Sequence, residues 1–215
     1  YRANIPGAGV ARTPDNQVRL TLQLARPWAF AAGGEARGGG GEATTWVVSE
    51  TGRTIQDAQR KLAGRISRHI YWAHSIILVF GEEAARYGFN YYANFFYRAP
   101  QPRETTWVMV AKGEAKDILE TNSELENSSA QDIGFLAKGK TVYSVNLKDI
   151  AIMRATPGSN QVLPRVEVVE SGTVQGTGKE KPAGHKGAVL TGTAVFCKDN
   201  LLGWLDDSET RGLLW

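Results

Sequence analysis

Gly192-Thr193-Ala194-Val195-Phe196-Cys197-Lys198-Asp199-Asn200-Leu201-Leu202-Gly203-Trp204-Leu205-Asp206-Asp207-Ser208-Glu209 is the stretch whose reading decides the fold. Two apolar runs flank the polar corner Lys198-Asp199-Asn200, the signature of a β-hairpin. Asp206-x-x-Glu209 then gives a capping box that opens a short helix towards Thr210-Arg211-Gly212-Leu213-Leu214-Trp215. Val195 and Phe196 on one strand, with Leu202 and Trp204 on the other, supply apolar surface to seat the hairpin on a larger body. The single cysteine, Cys197, cannot form an internal disulfide, and its alternation with apolar neighbours assigns it to the core.

That larger body can be traced outward from the hairpin. Val18, Leu20, Leu22 and Leu24 alternate with Arg19, Thr21 and Gln23, as in a strand covered on one face. Pro27 closes it. Residues Ala31 to Ala43 hold six glycines and few packable side chains, the composition of a mobile loop, and Thr44 to Ser49 return as a strand. Thr54 and Asp57 form the cap of a helix running to about Ser67, with Ile55, Ala58, Leu62 and Ile66 on one face. Ser75 to Phe80 is continuously apolar, as for a strand buried on both faces, and strand, helix and strand in this order predict a right-handed crossover.

Glu82 to Tyr87 and Tyr91 to Tyr97 read as two helices around Gly88, Thr105 to Ala111 as a strand, and Glu114 to Glu120 as a helix. Asn122 to Gln131 is polar and predicted to be a loop. Ile133 to Leu136 and Leu147 to Arg154 read as short helices, Val162 to Val169 as a strand, and Ser171 to Gly187 as a flexible connection. The fold class is α+β (mixed α/β): a central mixed sheet with packed helices. Residues 1–121 and 188–215 are expected to form the main body, with 122–187 as a smaller α/β subdomain or insertion.

With 215 residues, 42% hydrophobic and 22% charged, the chain has the composition of a folded globular protein. Its formal net charge of +3 is small and no Lys/Arg stripe interleaves with aromatics, which argues against nucleic acid. No apolar run reaches the ~18 residues of a transmembrane helix.

The residues that could carry chemistry have plainer readings. His69 and His74, five apart on a helix, would point ~140° apart and share no metal face, and no Cys/His ligand spacing occurs, so no metal is expected. His74, just before a buried strand, reads as a hydrogen-bonded structural histidine. Glu82 and Glu83 follow Gly81 in a first helical turn, where carboxylates complement the helix dipole. Gly81 and Gly88 read as turn and cap, no nucleophile motif is present, and neither catalytic residues nor a cofactor are expected. Trp46, Trp107 and Trp204 sit in strands and are assigned to the core. Trp28, Trp72 and Trp215 lie near element ends, where core and interface are equally open.

Separate blocks of the chain resemble one family. The closing string from Gly203-Trp204-Leu205 through Glu209-Thr210-x-Gly212-Leu213-Leu214-Trp215, Leu20 to Ala25 before Pro27, Gly52-x-Thr54-Ile55-x-x-Ala58, Ser67-Arg68 through His74, Gly81 to Gly88, and Ala111-Lys112-Gly113-x-Ala115 are together similar to the Ger(x)C lipoproteins, the C subunits of bacterial spore germinant receptors. Where that family has an acidic, Arg-containing run, Asn94 to Arg103 keep Arg98 and Arg103 without the acids. The resemblance implies a non-enzymatic receptor subunit acting as an assembly or signal-coupling scaffold in germination. Its implied partners are receptor A and B subunits and a membrane, reached through an N-terminal lipid anchor that this sequence lacks. It further implies a location on the outer face of the spore inner membrane, with the present chain soluble on its own. Tyr1 then reads as an internal residue and Trp215 as preceding a C-terminal domain. Two other functions stay open, a germinant- or cell-wall-binding module and a cortex hydrolase. Trp28, Trp72, Arg98, Glu209, Arg211 and Trp215 are the candidate partner-contact residues.

Overall fold

The computed structural model describes residues 2–26, 44–121, 123, 125–139, 142–171 and 185–213. The glycine-rich stretch 31–43, most of 171–187, Trp28 and Trp215 lie outside the described residues.

A nine-stranded mixed sheet organises the chain. Its strands are β2 (Gly7–Arg12), β3 (Val18–Ala25), β4 (Thr45–Gly52), β6 (Ile77–Gly81), β7 (Trp107–Ala111), β8 (Val145–Asn146), β9 (Val162–Ser171), β10 (His185–Cys197) and β11 (Asn200–Leu205). They run in the order β11-β10-β9-β7-β6-β2-β3-β4, with β8 beside β7. The centre is parallel (β2 with β6, β6 with β7, β7 with β9) and both flanks are antiparallel. Two short strands, β1 (Arg2–Asn4) and β5 (His69–Tyr71), pair apart from it.

Six helices are described: α1 (Ile55–Ala63), α2 (Glu82–Arg98), α3 (Ala115–Leu119), α4 (Ser129–Lys138), α5 (Leu147–Ala155) and α6 (Asp207–Gly212). They cover both faces of the sheet. On β6 and β7, Leu78, Phe80, Val108 and Val110 face the core shared with α1, α2 and α5, while Ile77, Val79, Met109 and Ala111 face that of α3 and α4. A strand covered on both sides needs no polar alternation, which is why Ile77 to Phe80 is unbroken.

The crossover from β4 through α1 to β6 joins strands of the same direction, although β3 and β2 lie between them in the sheet. Thr54 Oγ1 accepts from the Asp57 amide at 3.1 Å, and Asp57 accepts in return from the Arg53 amide at 3.1 Å. That second bond holds the Asp57 carboxyl below its ordinary pKa. The helix stops at Ala63, short of Ser67, because Gly64 caps it, and Ile66 still reaches the core. Lys61 Nζ donates to the Thr51 carbonyl at 2.7 Å, occupying part of the outer edge of β4.

The central strand β2 is built from small residues for a steric reason. A Cβ on Gly9 would stand 2.9 Å from the Ala115 Cβ, and one on Gly7 2.8 Å from Leu119, so the bare backbone lets α3 lie directly on the strand.

The expected separation of residues 122–187 does not describe this sheet. β9 lies inside it between β7 and β10, with Leu163 buried in one core layer and Val166 in the other. The segment 122–131, expected as a loop, already contains the start of α4, capped by Ser128.

Candidate interaction surface

The closing hairpin forms as its sequence indicates, with β10 paired antiparallel to β11 and a β-bulge between Val195 and Phe196. The bulge changes which residues face inward. Leu201 is buried and shares a core layer with Phe196 and the partly buried Trp204, whereas Leu202 is 71% exposed. Simple alternation pairs Leu202 with Trp204, and the extra residue of the bulge overturns that pairing. Cys197, assigned to the core by the same alternation, stands exposed at the end of β10.

The corner of the hairpin sits on a break in α2. Gly88, at φ 153° and ψ 95°, interrupts the helix in a conformation that glycine tolerates. Beside it the Phe89 amide donates to the Asp199 carbonyl at 2.8 Å and the Asn90 amide to Asp199 Oδ1 at 3.0 Å. Asn200 Nδ2 donates to the carbonyls of Arg86 at 2.7 Å and Tyr87 at 3.0 Å.

Around that break lies an aromatic and cationic face that the sequence analysis did not single out. Tyr87 and Tyr91 are 52% and 56% exposed, with ring centroids 6.3 Å apart. The Arg12 guanidinium lies 3.2 Å from the Tyr87 ring centroid and donates to the Tyr92 hydroxyl at 3.4 Å. Burial raises the Tyr92 pKa, partly opposed by Arg12. The signal available in the sequence was the i, i+4 spacing of two tyrosines across a glycine.

Helix α6 is tied to the hairpin at its first turn. Asp206 Oδ1 accepts from the Glu209 amide at 2.8 Å and Glu209 Oε2 from the Asp206 amide at 2.9 Å, completing the expected capping box. Asp207 Oδ1 accepts from the Gly192 amide at 2.7 Å, and the Thr193 and Thr210 hydroxyls meet at 3.2 Å. A cavity of about 290 Å³ opens between this helix and the body, lined in part by Val142, Tyr143, Leu190, Asp207 and Arg211.

The candidate contact residues do not form one patch. Trp72 is a correction: at 2% exposure its ring packs edge-to-face on Phe96, centroids 5.4 Å apart, because the 3-10 turn Trp72–His74 points it under α2. Arg98 is exposed in the last turn of α2. Glu209 and Arg211 share exposed α6, but Glu209 is committed to the cap and Arg211 Nε donates to the Asp207 carbonyl at 3.3 Å. Trp28 and Trp215 lie outside the described residues. Trp46, assigned to the core, is 39% exposed because it opens the edge strand β4, and Trp107 and Trp204 are half-buried.

Among the residues with potential chemistry, His74, expected as a hydrogen-bonded structural histidine, is exposed, meets the Tyr71 ring edge-on at 5.6 Å and makes no side-chain hydrogen bond among the described residues. Glu82 pairs with Arg86 at 2.6 Å. No group of three metal-ligating side chains occurs among the described residues. A groove of about 370 Å³ holds Lys112, Glu114, Asp117, Glu120, Glu167 and Lys186. Three of its four acids are engaged: Glu114 with Arg19 at 2.6 Å, Glu120 with Lys116 at 3.4 Å, and Glu167 with the Thr191 hydroxyl at 2.8 Å and Lys112 at 3.9 Å. No helix among the described residues is long and apolar enough to cross a membrane.

Comparison with known proteins agrees with the pattern in the sequence. A family model described as the spore germination protein N-terminal domain matches residues 1–168. YfkR of Bacillus subtilis (strain 168), provisionally named for spore germination, is 33% identical over 202 residues, 93% of this chain and 50% of YfkR. Spore germination protein KC of the same organism is 28% identical over 223 residues, 99% of this chain and 55% of that protein. The chain spans about half the length of the curated relatives it matches. The crystal structure of the GerBC protein aligns with a TM-score of 0.46 and 18% identity, covering 97% of this chain and 54% of that one. With the family model matching residues 1–168 of 215, the chain belongs to the Ger(x)C family of spore germination proteins.

Proposed function

We propose that the chain is part of the C subunit of a spore nutrient germinant receptor and acts, without catalysis of its own, as a scaffold for assembly and signal coupling. Its partners in this reading are the receptor's A and B subunits, and the intact protein is held by an N-terminal lipid anchor on the outer face of the spore inner membrane. The observation that carries the scaffold role is the clamp of the hairpin corner on α2, four hydrogen bonds that tie the last strands to the exposed Tyr87–Tyr91 face. Such a link suits a protein that relays position between neighbours.

The test is binding of the purified chain to the extracytoplasmic domains of the A and B subunits, measured by calorimetry, with nutrient germinants titrated in parallel. Binding to either protein at micromolar concentrations or tighter is expected. Saturable binding of a nutrient alone, with none to A or B, would overturn the scaffold reading in favour of a germinant-binding module. The mixed-charge groove beside Lys112 and Lys186 supports that second reading. A cortex hydrolase draws less support, since Glu114, Glu120 and Glu167, three of the four acids in that groove, are held by structural partners.

A further inference from the structure

The two halves of α2, Glu82 to Tyr87 and Phe89 to Arg98, end and begin at Gly88, and each leaves backbone groups that its own helix cannot satisfy. Two consecutive hairpin residues satisfy both sides. Asp199 acts as a cap for the second half, receiving the Phe89 amide on its carbonyl and the Asn90 amide on its carboxylate, while the Asn200 amide group binds the last carbonyls of the first half. The cap is supplied from a residue 109 positions away from Asn90, so the geometry of the break depends on tertiary structure.

The corner is held in turn. Lys198 adopts φ 56° and its amide donates to Asn160 Oδ1 at 3.2 Å. Gln161 accepts from the Phe196 amide on its carbonyl at 3.0 Å and donates through Nε2 to Asn90 Oδ1 at 3.1 Å. Hairpin, the approach to β9 and the second half of α2 thus share one polar network. Lys198, Asp199 and Asn200 at the corner are half-buried or exposed, whereas Gln161 beneath them is buried, as are Phe89, Tyr92 and Phe96, which anchor the helix in the core. Local opening follows the weaker set.

We infer that Asp199 and Asn200 form a releasable splint across the break of α2, through which the hairpin and α6 set the angle between the two helix halves and hence the arrangement of Tyr87 and Tyr91. Only the role of this splint in a receptor rests on the scaffold reading; the splint itself does not. Displacing α6 and β11 by a neighbour opens the break, and holding the tyrosine face fixed closes it, since coupling between two sites is reciprocal.

Amide hydrogen exchange of the chain, read residue by residue, tests this. Asp199→Ala is expected to speed exchange at Asn90, which loses its carboxylate acceptor, about tenfold or more, to speed it by a smaller factor at Phe89, whose main-chain acceptor is kept, and to leave β6 and β7 amides unchanged. Asp199→Asn, which keeps an acceptor, is expected to restore most of the protection at Asn90. Asn200→Ala is expected to loosen the end of the first half around Arg86 and Tyr87 and to speed exchange at Phe89 by a smaller factor. Unchanged exchange at Phe89 and Asn90, or acceleration spread uniformly through the sheet, overturns the inference. Should Asp199→Ala fail to fold, Asp199→Asn and Asn200→Ala read the same amides. Because the measurement needs no partner, a failure to bind A or B ectodomains sinks the scaffold reading without touching the splint, and the reverse.

Discussion

Replacing Gly192 with alanine is the sharpest test of how the hairpin is fixed. Gly192 occupies the irregularity in β10 between Leu190 and Thr193, at φ 63°, and its amide is bound by Asp207. A Cβ there would stand 2.2 Å from the carbonyl oxygen of Leu205 on β11. Carbon–oxygen contacts begin near ~3.3 Å, so the two strands must part by about 1 Å. The left-handed backbone costs an L residue roughly 1–2 kcal/mol, and overpacking against a main-chain atom adds about 1–3 kcal/mol. The expected total is about 3 kcal/mol, which for a chain of this length lowers Tm by roughly 6–12 °C. Urea unfolding followed by tryptophan fluorescence should show a lower midpoint with an unchanged slope. Gly187→Ala is the control: it lies in the same strand with nothing within 4 Å of an added Cβ, and should stay within about 0.5 kcal/mol of the parent. A loss at Gly192 no greater than at Gly187 would refute the reasoning.

The half-buried Trp204 should cost about 2 kcal/mol on truncation to alanine by urea unfolding, less than the ~3–5 kcal/mol of a fully buried aromatic. Arg211→Ala should be neutral within about 0.5 kcal/mol, while Glu209→Ala loses a cap bond and about 0.5–1.5 kcal/mol. If α6 contacts a receptor subunit, spores carrying both substitutions at normal protein level should germinate poorly; normal germination would remove α6 from the interface. The buried Tyr97 hydroxyl makes no hydrogen bond among the described residues, and burial pushes its pKa up to about 12, opposed in part by nearby Arg154. Because the folded value lies above the ordinary 10, its contribution is complete below pH 10 and fades as pH rises towards 12. Tyr97→Phe should therefore flatten the loss of stability between pH 10 and 12 without destabilising the chain at pH 7, as a pH series of melting curves would show.

Periodicity revealed the elements that bury one stripe or a continuous run, such as α1 and β6; it found β3 but not its second covered face, where the alternating Thr21 and Gln23 are buried at 1% exposure, with Gln23 bonded to Leu119 and Ser129. It could not reveal β2, whose Gly7-Ala8-Gly9 composition answers to the close approach of α3 rather than to any pattern along its own length. It also failed where one extra residue reversed the alternation, as at Leu202. Length and polarity suggested that residues 122–187 stand apart, yet the pairing of β9 with β7 and β10 depends on strands far away in sequence. Of the candidate surface, the helix cap at Asp206 was legible because both partners are local. The seat of Asp199 and Asn200 on α2 was not, since the two partners are separated by about half the chain.

The central position of β2 bears on how the chain comes to be folded. Gly7 pairs with Ile77, 70 residues further on, so β2 gains its second neighbour only when β6 appears. At the ~5–20 residues per second of translation, one flank of β2 waits several seconds with β3 alone beside it. The glycines that later admit α3 also leave that waiting strand with little apolar surface to misplace. The hairpin corner that braces α2 can likewise engage only once Asp199, 109 positions beyond Asn90, has been made.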